Sequence, residues 1–452
     1  MPDHFNYISF GNWDYVTKAD GVIEMNRGRM FEYTPTELEK RLEALEPPSV
    51  AFLETLPTFL CSEISRTNLG TSMVVKYGRI ANTEAGRKEV ATTFQTLIDF
   101  GELAFEDLEA ARAVFGADAF QLHRTHWAVR EGDAQEVLAN LVALHPGFAG
   151  QVAAQAGVDH VQPVAEPPPR EKNSLGVADS VEAFLQRLYA APTEDTDETF
   201  FRGHHNSTYE LTPSLLRKGT DGAWRFMPSE DRLCKELLIA HYDEFQGDQY
   251  CFDRLVRMQH YGLPTRLLDI TTNPLVALFF ACEGPPELAN VDGEVILFSV
   301  ATEKVKYYDS DTVSCLANLS NLTFDQKNQI DLSLDAEAFN QSNAVLKLLH
   351  HIKSEKGFFE GRIVPDDLGS IVCVKAKRNN SRIRSQSGAF LLYGHEAILP
   401  DAGSDDIAVA RVVISNKTHI LGQLSRLNIN ATTVYPGIQQ TAEHLKSQPL
   451  TH

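Results

Sequence analysis

The 452-residue chain is short of positive charge. Lysine and arginine number 41 against 61 aspartate and glutamate, a formal net charge of -20. Nucleic-acid and anionic-membrane surfaces need a basic excess, so a general binder of either kind is disfavoured and only a local basic patch is compatible. Cysteine is scarce: Cys61, Cys234, Cys251, Cys282, Cys315 and Cys373 are scattered, with no CxxC pair. That pattern argues against a disulfide framework and predicts buried, reduced thiols in a cytoplasmic protein. No HxxxH spacing supports a metal centre, so no metal is expected. The start of the chain lacks the basic stretch followed by an apolar run that marks a secretory signal. Apolar runs such as Leu275 to Cys282 fall far short of a membrane span, so no membrane partner is expected. No internal repeat is visible.

What is present fits a globular chain, 43% hydrophobic and 23% charged, long enough for two or three domains. The sharpest boundary is the run VQPVAEPPPREKNSLGVAD, with three consecutive prolines at Pro167, Pro168 and Pro169. Such a run behaves as an extended spacer. It divides the chain into an N-terminal region, 1–160, a Pro-rich linker, 161–179, and a C-terminal domain, 180–446. In the first region Thr34-Pro35-Thr36-Glu37 reads as a helix start, with Thr34 the cap and Pro35 the first helical position. Leu38, Leu42 and Leu45 mark the apolar face, and Pro47-Pro48 stops the helix. Ser72 to Arg79 and Glu89 to Phe100 read as strands, Phe105 to Phe115 and Asp133 to Leu144 as helices. Gln121 to Asp133, with His123, Arg124, His126 and Trp127, reads either as an alternating strand or as a recognition surface. The region reads as mixed α/β, and a sensor or regulatory role is the expectation for it.

In the C-terminal domain, Ser180 to Ala191, Asp231 to Gly247 and Asp253 to His260 have helical spacing, and Glu230, Asp231 and Glu236 read as a solvated helix face. Thr199 to Gly203, Gly293 to Val300, Gly369 to Lys375, Gly388 to Tyr393 and Ile407 to Ile414 read as strands. Lys304 to Lys356 is mostly helical, an insertion over 304–356. The predicted class is α+β, a mixed sheet with packed helices.

The most informative segment is MQHYGLPTRLLDITTNPLVALFFAC, Met258 to Cys282. A polar cluster (His260, Tyr261, Arg266, Asp269) flanks a Gly-Leu-Pro turn and runs into an Asn-Pro start of an apolar helix. Tyr261, Leu263 and Leu275 to Ala281 read as core. Free amides at that helix start suit an anion. Arg202 carries a planar fork able to hold phosphate or ribose hydroxyls. Arg266 and Asp269, three apart, could pair across the turn.

Four segments resemble the prokaryotic FRG domain: Phe200 to His205 with its Phe201-Arg202-Gly203 triplet, Thr208 to Arg217, the QHYGLPTRLLD run, and Arg382 to Phe390. The resemblance spans about 175–446 and includes Val434-Tyr435-Pro436. It implies a toxin-like or antiviral-defence setting in bacteria or phage, with a second module fused. More remotely, the order of an early arginine, a polar strand entering an apolar helix, and a late polar strand is similar to that of ADP-ribosyltransferases. That likeness implies NAD as substrate, with Arg202 binding it and Thr265, Arg266 and Asp269 lining the nicotinamide side. Gln386 stands where those enzymes place a glutamate, although Glu396 lies ten residues on. The candidate catalytic set is therefore Arg202, Arg266, Asp269 and Gln386. The candidate ligand-binding set is Arg202, His204, His260, Thr265 and Asn273. The expected partners are a nucleotide ligand and a macromolecular target or trigger, protein or nucleic acid. Two other readings stay open: a non-catalytic nucleotide or phage-component sensor, and a metal-dependent nuclease using His204, His205, His260 and Asp269.

Overall fold

The computed structural model describes residues 4–19, 21–67, 70–86, 89–117, 121–155, 173–192, 196–219, 223–332, 334–377, 386 and 388–435. The chain forms two compact units, 1–170 with 218–224, and 171–217 with 225–452. Each has its own mixed sheet and packed helices, which makes the class α+β. Of the Pro-rich segment expected at 161–179, residues 161–172 lie outside the described residues, and Ser174–Ala178 form a strand.

The first unit contains β1 (His4–Phe10), β2 (Gly21–Asn26), β3 (Thr58–Ser62), β4 (Ser65–Thr67), β5 (Gly70–Ala85), β6 (Glu89–Phe105) and β7 (His126–Glu131). Its helices are α1 (Trp13–Lys18), α2 (Thr36–Leu42), α3 (Pro47–Thr55), α4 (Leu108–Phe115), α5 (Ala134–Leu144) and α6 (Ala149–Gln155). The sheet order is β2-β6-β5-β3-β1-β7, with β4 on β5; β1 and β3 run parallel and the other named pairs antiparallel. Alternating residues divide the interior. Tyr7, Phe59, Val75 and Ile98 meet α4 and α5 on one face, while Ile8, Leu60 and Val74 meet α2 and α3 on the other.

Two local expectations are corrected here. Thr34 does not cap α2: its hydroxyl accepts the Val129 N–H at 2.9 Å, and Pro35 takes the cap position. Pro47 and Pro48 do not end a helix but begin α3, where a missing N–H costs nothing. The Gln121–Asp133 stretch enters β7 with Arg124 buried in a two-bonded ion pair to Glu32, at 2.5 and 2.7 Å. It offers no open arginine.

The second unit contains β8 (Ser174–Ala178), β9 (Asp197–His204), β10 (Leu267–Thr271), β11 (Gly293–Ala301), β12 (Lys306–Tyr307), β13 (Ile371–Lys375), β14 (Gly388–Tyr393) and β15 (Ala408–Ile414). Its helices include α7 (Val181–Ala190), α8 (Glu230–Ala240), α9 (Tyr242–Phe245), α10 (Cys251–His260), α11 (Pro274–Cys282), α12 (Asp311–Asn318), α13 (Phe324–Asn328), α14 (Ala336–Gln341) and α15 (Asn343–Glu355). The sheet order is β12-β13-β14-β10-β9-β11-β15-β8, parallel only at its two outer pairs. The expected helix over 231–247 is two, α8 and α9, separated at His241.

One face of this sheet is helical. Phe201, Val295, Leu297 and Val412 pack on α7, α11 and the helix Lys417–Arg426, while Leu267, Phe390 and Leu392 pack on α10, α12 and α15. The other face is closed by irregular segments: Leu211, Ala397 and Leu399 lie over Phe200, Leu268, Ile296 and Leu391. Among the described residues no helix is long and apolar enough to cross a membrane.

Candidate functional site

The Phe201-Arg202-Gly203 triplet lies in β9, near the middle of the sheet, and strand alternation divides its work. Phe201 packs into the core beneath α11. Gly203 faces that helix so closely that a Cβ there would sit 2.0 Å from the Ala277 carbonyl oxygen. Gly293 on β11 is in the same position, 2.3 Å from the Ala281 oxygen. Glycine at both places lets α11 rest on the strands. Arg202, between Phe201 and Gly203, points to the opposite, loop-covered face.

On that face Arg202 Nε donates to His204 Nε2 at 2.9 Å, and Nη1 donates to the Asp269 main-chain oxygen at 2.7 Å. His204 is 4% exposed, and its Nδ1 lies 3.2 Å from Glu294 Oε1 across the β9–β11 pair. The other Glu294 oxygen lies 3.5 Å from Arg411 Nε, and Arg411 Nη2 reaches Asp401 at 2.6 Å. Arg202 Nη2 donates to no atom among the described residues. Burial lowers the Arg202 pKa, the Asp269 carboxylate resists this, and the nearby charge of Arg217 adds to the lowering. Arg217 has no acidic partner among the described residues. The two guanidiniums offer hydrogen-bond donors on this face, and the Asp269 carboxylate offsets part of their charge. Beside it, the Tyr209 hydroxyl lies 3.1 Å from His205 Nε2.

The other sequence candidates lie elsewhere. Arg266 is 2% exposed and forms a double hydrogen bond to Glu230, at 2.8 and 2.6 Å, with Nη1 on the Tyr393 carbonyl at 2.9 Å. Lys327 joins the same carboxylate at 2.6 Å. Arg266 therefore pairs with Glu230, not Asp269, and braces the core. Glu230 and Asp231, expected on a solvated face, are 1% and 8% exposed. The Asp269 carboxylate accepts from Gln259 Nε2 at 2.6 Å, and Gln259 in turn accepts the Thr265 hydroxyl at 2.5 Å. Phe201 faces Thr271 in register, so Asp269, two residues back, points to the helical face, away from the Arg202 fork. His260 ends α10 with its ring 5.0 Å from that of Tyr261, which is 62% exposed and not core.

The start of α11 is closed to an anion. Asn273 Oδ1 accepts the Leu275 N–H, the Asn273 carbonyl accepts those of Val276 and Ala277, and Pro274 has none. Gln386 donates to the Val434 carbonyl at 3.1 Å and accepts the Thr271 hydroxyl on its own carbonyl. Its neighbours Ser385 and Ser387, like Arg382 and Pro436, lie outside the described residues. Thus Arg202 and His204 meet on one face, Thr265 and Asp269 share Gln259 on the other, and Arg266 sits in the core.

Among the described residues no group of three or more His, Cys, Asp or Glu could hold a metal ion. His204 and Asp269, expected together in the nuclease reading, are engaged separately. In the first unit a cavity of about 320 Å³ is lined by Tyr33, Phe115, Gln121, Arg130 and Glu136 among others, and none of the candidate residues reaches it.

Sequence reasoning missed Glu294, Arg217 and Gln259. Gln259 and Arg217 lie inside the segments that carry the family resemblance. Glu294 had its own signal, a carboxylate inside the apolar strand GEVILFSV.

The FRG domain family matches residues 197–289, narrower than the 175–446 of the sequence resemblance. The match contains β9, α8, α10, β10 and α11, hence Arg202, His204, Arg217, Arg266 and Asp269, and it ends before Glu294. No curated protein and no solved structure matches the chain.

Proposed function

We propose, from the FRG domain this chain carries, that its C-terminal unit handles a nucleotide of the NAD class. It would do so as the ADP-ribosyltransferase-like part of a bacterial or phage toxin or antiviral-defence effector, acting in the cytoplasm. The observation that carries this reading is Arg202. It has a guanidinium held by two hydrogen bonds, a further donor left over, and nearby an Arg217 that has no acidic partner among the described residues. Such a pair suits a diphosphate, with Arg202 Nη2 donating to one phosphate and the Arg217 guanidinium to the other. The strand bearing the early arginine, β9, lies beside β10, which carries the Leu-Leu-Asp of the TRLLD run, and β10 lies beside the late strand β14. The first unit would then supply the sensor or target-recognition function.

A second reading, nucleotide sensing without turnover, is favoured by Gln386. A neutral amide committed to a main-chain carbonyl cannot supply the negative charge that would stabilise an oxocarbenium ion at the nicotinamide ribose. The two readings share the ligand and part at the reaction. Purified protein is incubated with NAD, with calorimetry for binding and chromatography for free nicotinamide, beside Arg202→Ala. Nicotinamide release that depends on Arg202 supports the transferase. Saturable binding without release supports the sensor, and absence of both sinks each of them.

A further inference from the structure

We infer that Glu294 and His204 form a positioning relay that orients the Arg202 guanidinium toward its anionic ligand. The ligand assignment rests on the reading above, but the relay stands on geometry alone. An arginine Nε can only donate, so the contact at 2.9 Å makes His204 Nε2 the acceptor. The single ring proton then sits on Nδ1, where Glu294 Oε1 receives it at 3.2 Å. Glu294 thus selects the one tautomer that can hold Arg202. If the proton moved to Nε2, two donors would face each other and the guanidinium would swing away.

Each member of the relay is fixed from behind. Glu294 and His204 are directly paired across β9 and β11, both essentially buried. Arg411 on β15 braces the second Glu294 oxygen and is itself clamped by Asp401. The Asp269 carbonyl holds Nη1, which fixes the plane of the fork and leaves Nη2 directed away from these bonds. His204 is therefore a positioning residue, not a ligand contact, and Glu294 acts through it. Binding an anion with a pre-oriented fork avoids the cost of ordering a long, flexible side chain on association.

Substitutions that keep or remove the acceptor separate this role from simple packing. His204→Gln keeps an oxygen able to accept from Arg202 Nε, whereas His204→Leu does not. Glu294→Gln still offers an acceptor to Nδ1–H, and Glu294→Leu releases the tautomer. Titration of the full chain with NAD and, separately, with inorganic pyrophosphate should show binding roughly tenfold weaker in both leucine variants, the size of one lost charge-assisted hydrogen bond. The glutamine variants should recover most of it. Independently of any ligand, the Arg202 Nε–H resonance should stay slow to exchange in the wild type and in His204→Gln, and exchange fast in His204→Leu. Thermal unfolding of each variant reports whether it folds. Fast exchange in the folded wild type, or slow exchange retained in a folded His204→Leu, would overturn the relay. Slow exchange with no binding of NAD or pyrophosphate would leave the relay standing and remove only the ligand assignment.

Discussion

Gly203 shows how much a missing side chain can fix. Its Cβ position is occupied by the Ala277 carbonyl, a backbone atom that cannot rotate aside. Gly203→Ala should destabilise the second unit by about 3 kcal/mol, the upper end for overpacking, read by urea unfolding. A loss within experimental error would mean that α11 can lift from the strands. At Glu230, burial alone would raise the carboxyl, but Arg266 and Lys327 outweigh it and hold its pKa at about 2. Because the folded value lies below the unfolded one, this stabilisation is full above about pH 4.5 and is lost as pH falls toward 2. Glu230→Gln should remove that acid slope and cost about 3–5 kcal/mol, since it strands two buried cations. A variant as stable as wild type would show that Arg266 and Lys327 re-pair elsewhere. Arg266 looked like a cleft residue because it adjoins a turn; its partner stands 36 residues earlier, at a distance that periodicity cannot report.

At the scale of single elements, α11 has its start written in the sequence but not its chemistry. Asn-Pro before an apolar run marks the cap correctly, yet the same asparagine fills the amides an anion would need. Asn273→Ala should therefore cost about 1 kcal/mol as a lost cap and leave nucleotide affinity unchanged. A selective fall in affinity at unaltered stability would instead make Asn273 a ligand contact. Elements with a clean period, such as α5, α7 and β11, were legible almost to the residue, whereas β5 and β6 run on to Ala85 and Phe105, well past the strands read at 72–79 and 89–100. Pro47-Pro48 was not, because proline both ends one helix and opens another, and only the packing of Phe52 and Leu53 decides which. The site divided likewise. The strand position of Arg202 was legible from the glycine beside it. Glu294 was not, because its meaning depends on β11 lying beside β9, and strand order is not written in local sequence.

For the molecule as a whole, the six thiols and two buried titrating groups give each unit its own signature. All six cysteines are buried and free; burial pushes Cys251 up to about 11 and Cys282 and Cys315 to about 12. The native protein should be inert to thiol reagents at neutral pH. Under partial denaturation, labelling should come as one thiol from the first unit (Cys61) or five from the second, which identifies the unit that opens first. Graded labelling of all six together would mean that the units unfold as one. In the first unit, burial brings His126 down to about 3, against the pull of Glu32. Its unfolded form takes up a proton near pH 6.5, so this contribution falls from about pH 6.5 to 3, earlier than that of Glu230 in the second unit. Acidification followed by thiol counting should thus release Cys61 first; simultaneous release, or the second unit leading, would count against it. The alternation along the triplet also has a genetic meaning. In a growth-based selection for the protein's activity, alleles at positions 201 and 203 should behave as folding mutants, temperature-sensitive and rescued by stabilising second-site substitutions elsewhere in the chain. Alleles at 202 should accumulate normally and resist every suppressor of that kind, so that three adjacent codons fall into two complementation phenotypes.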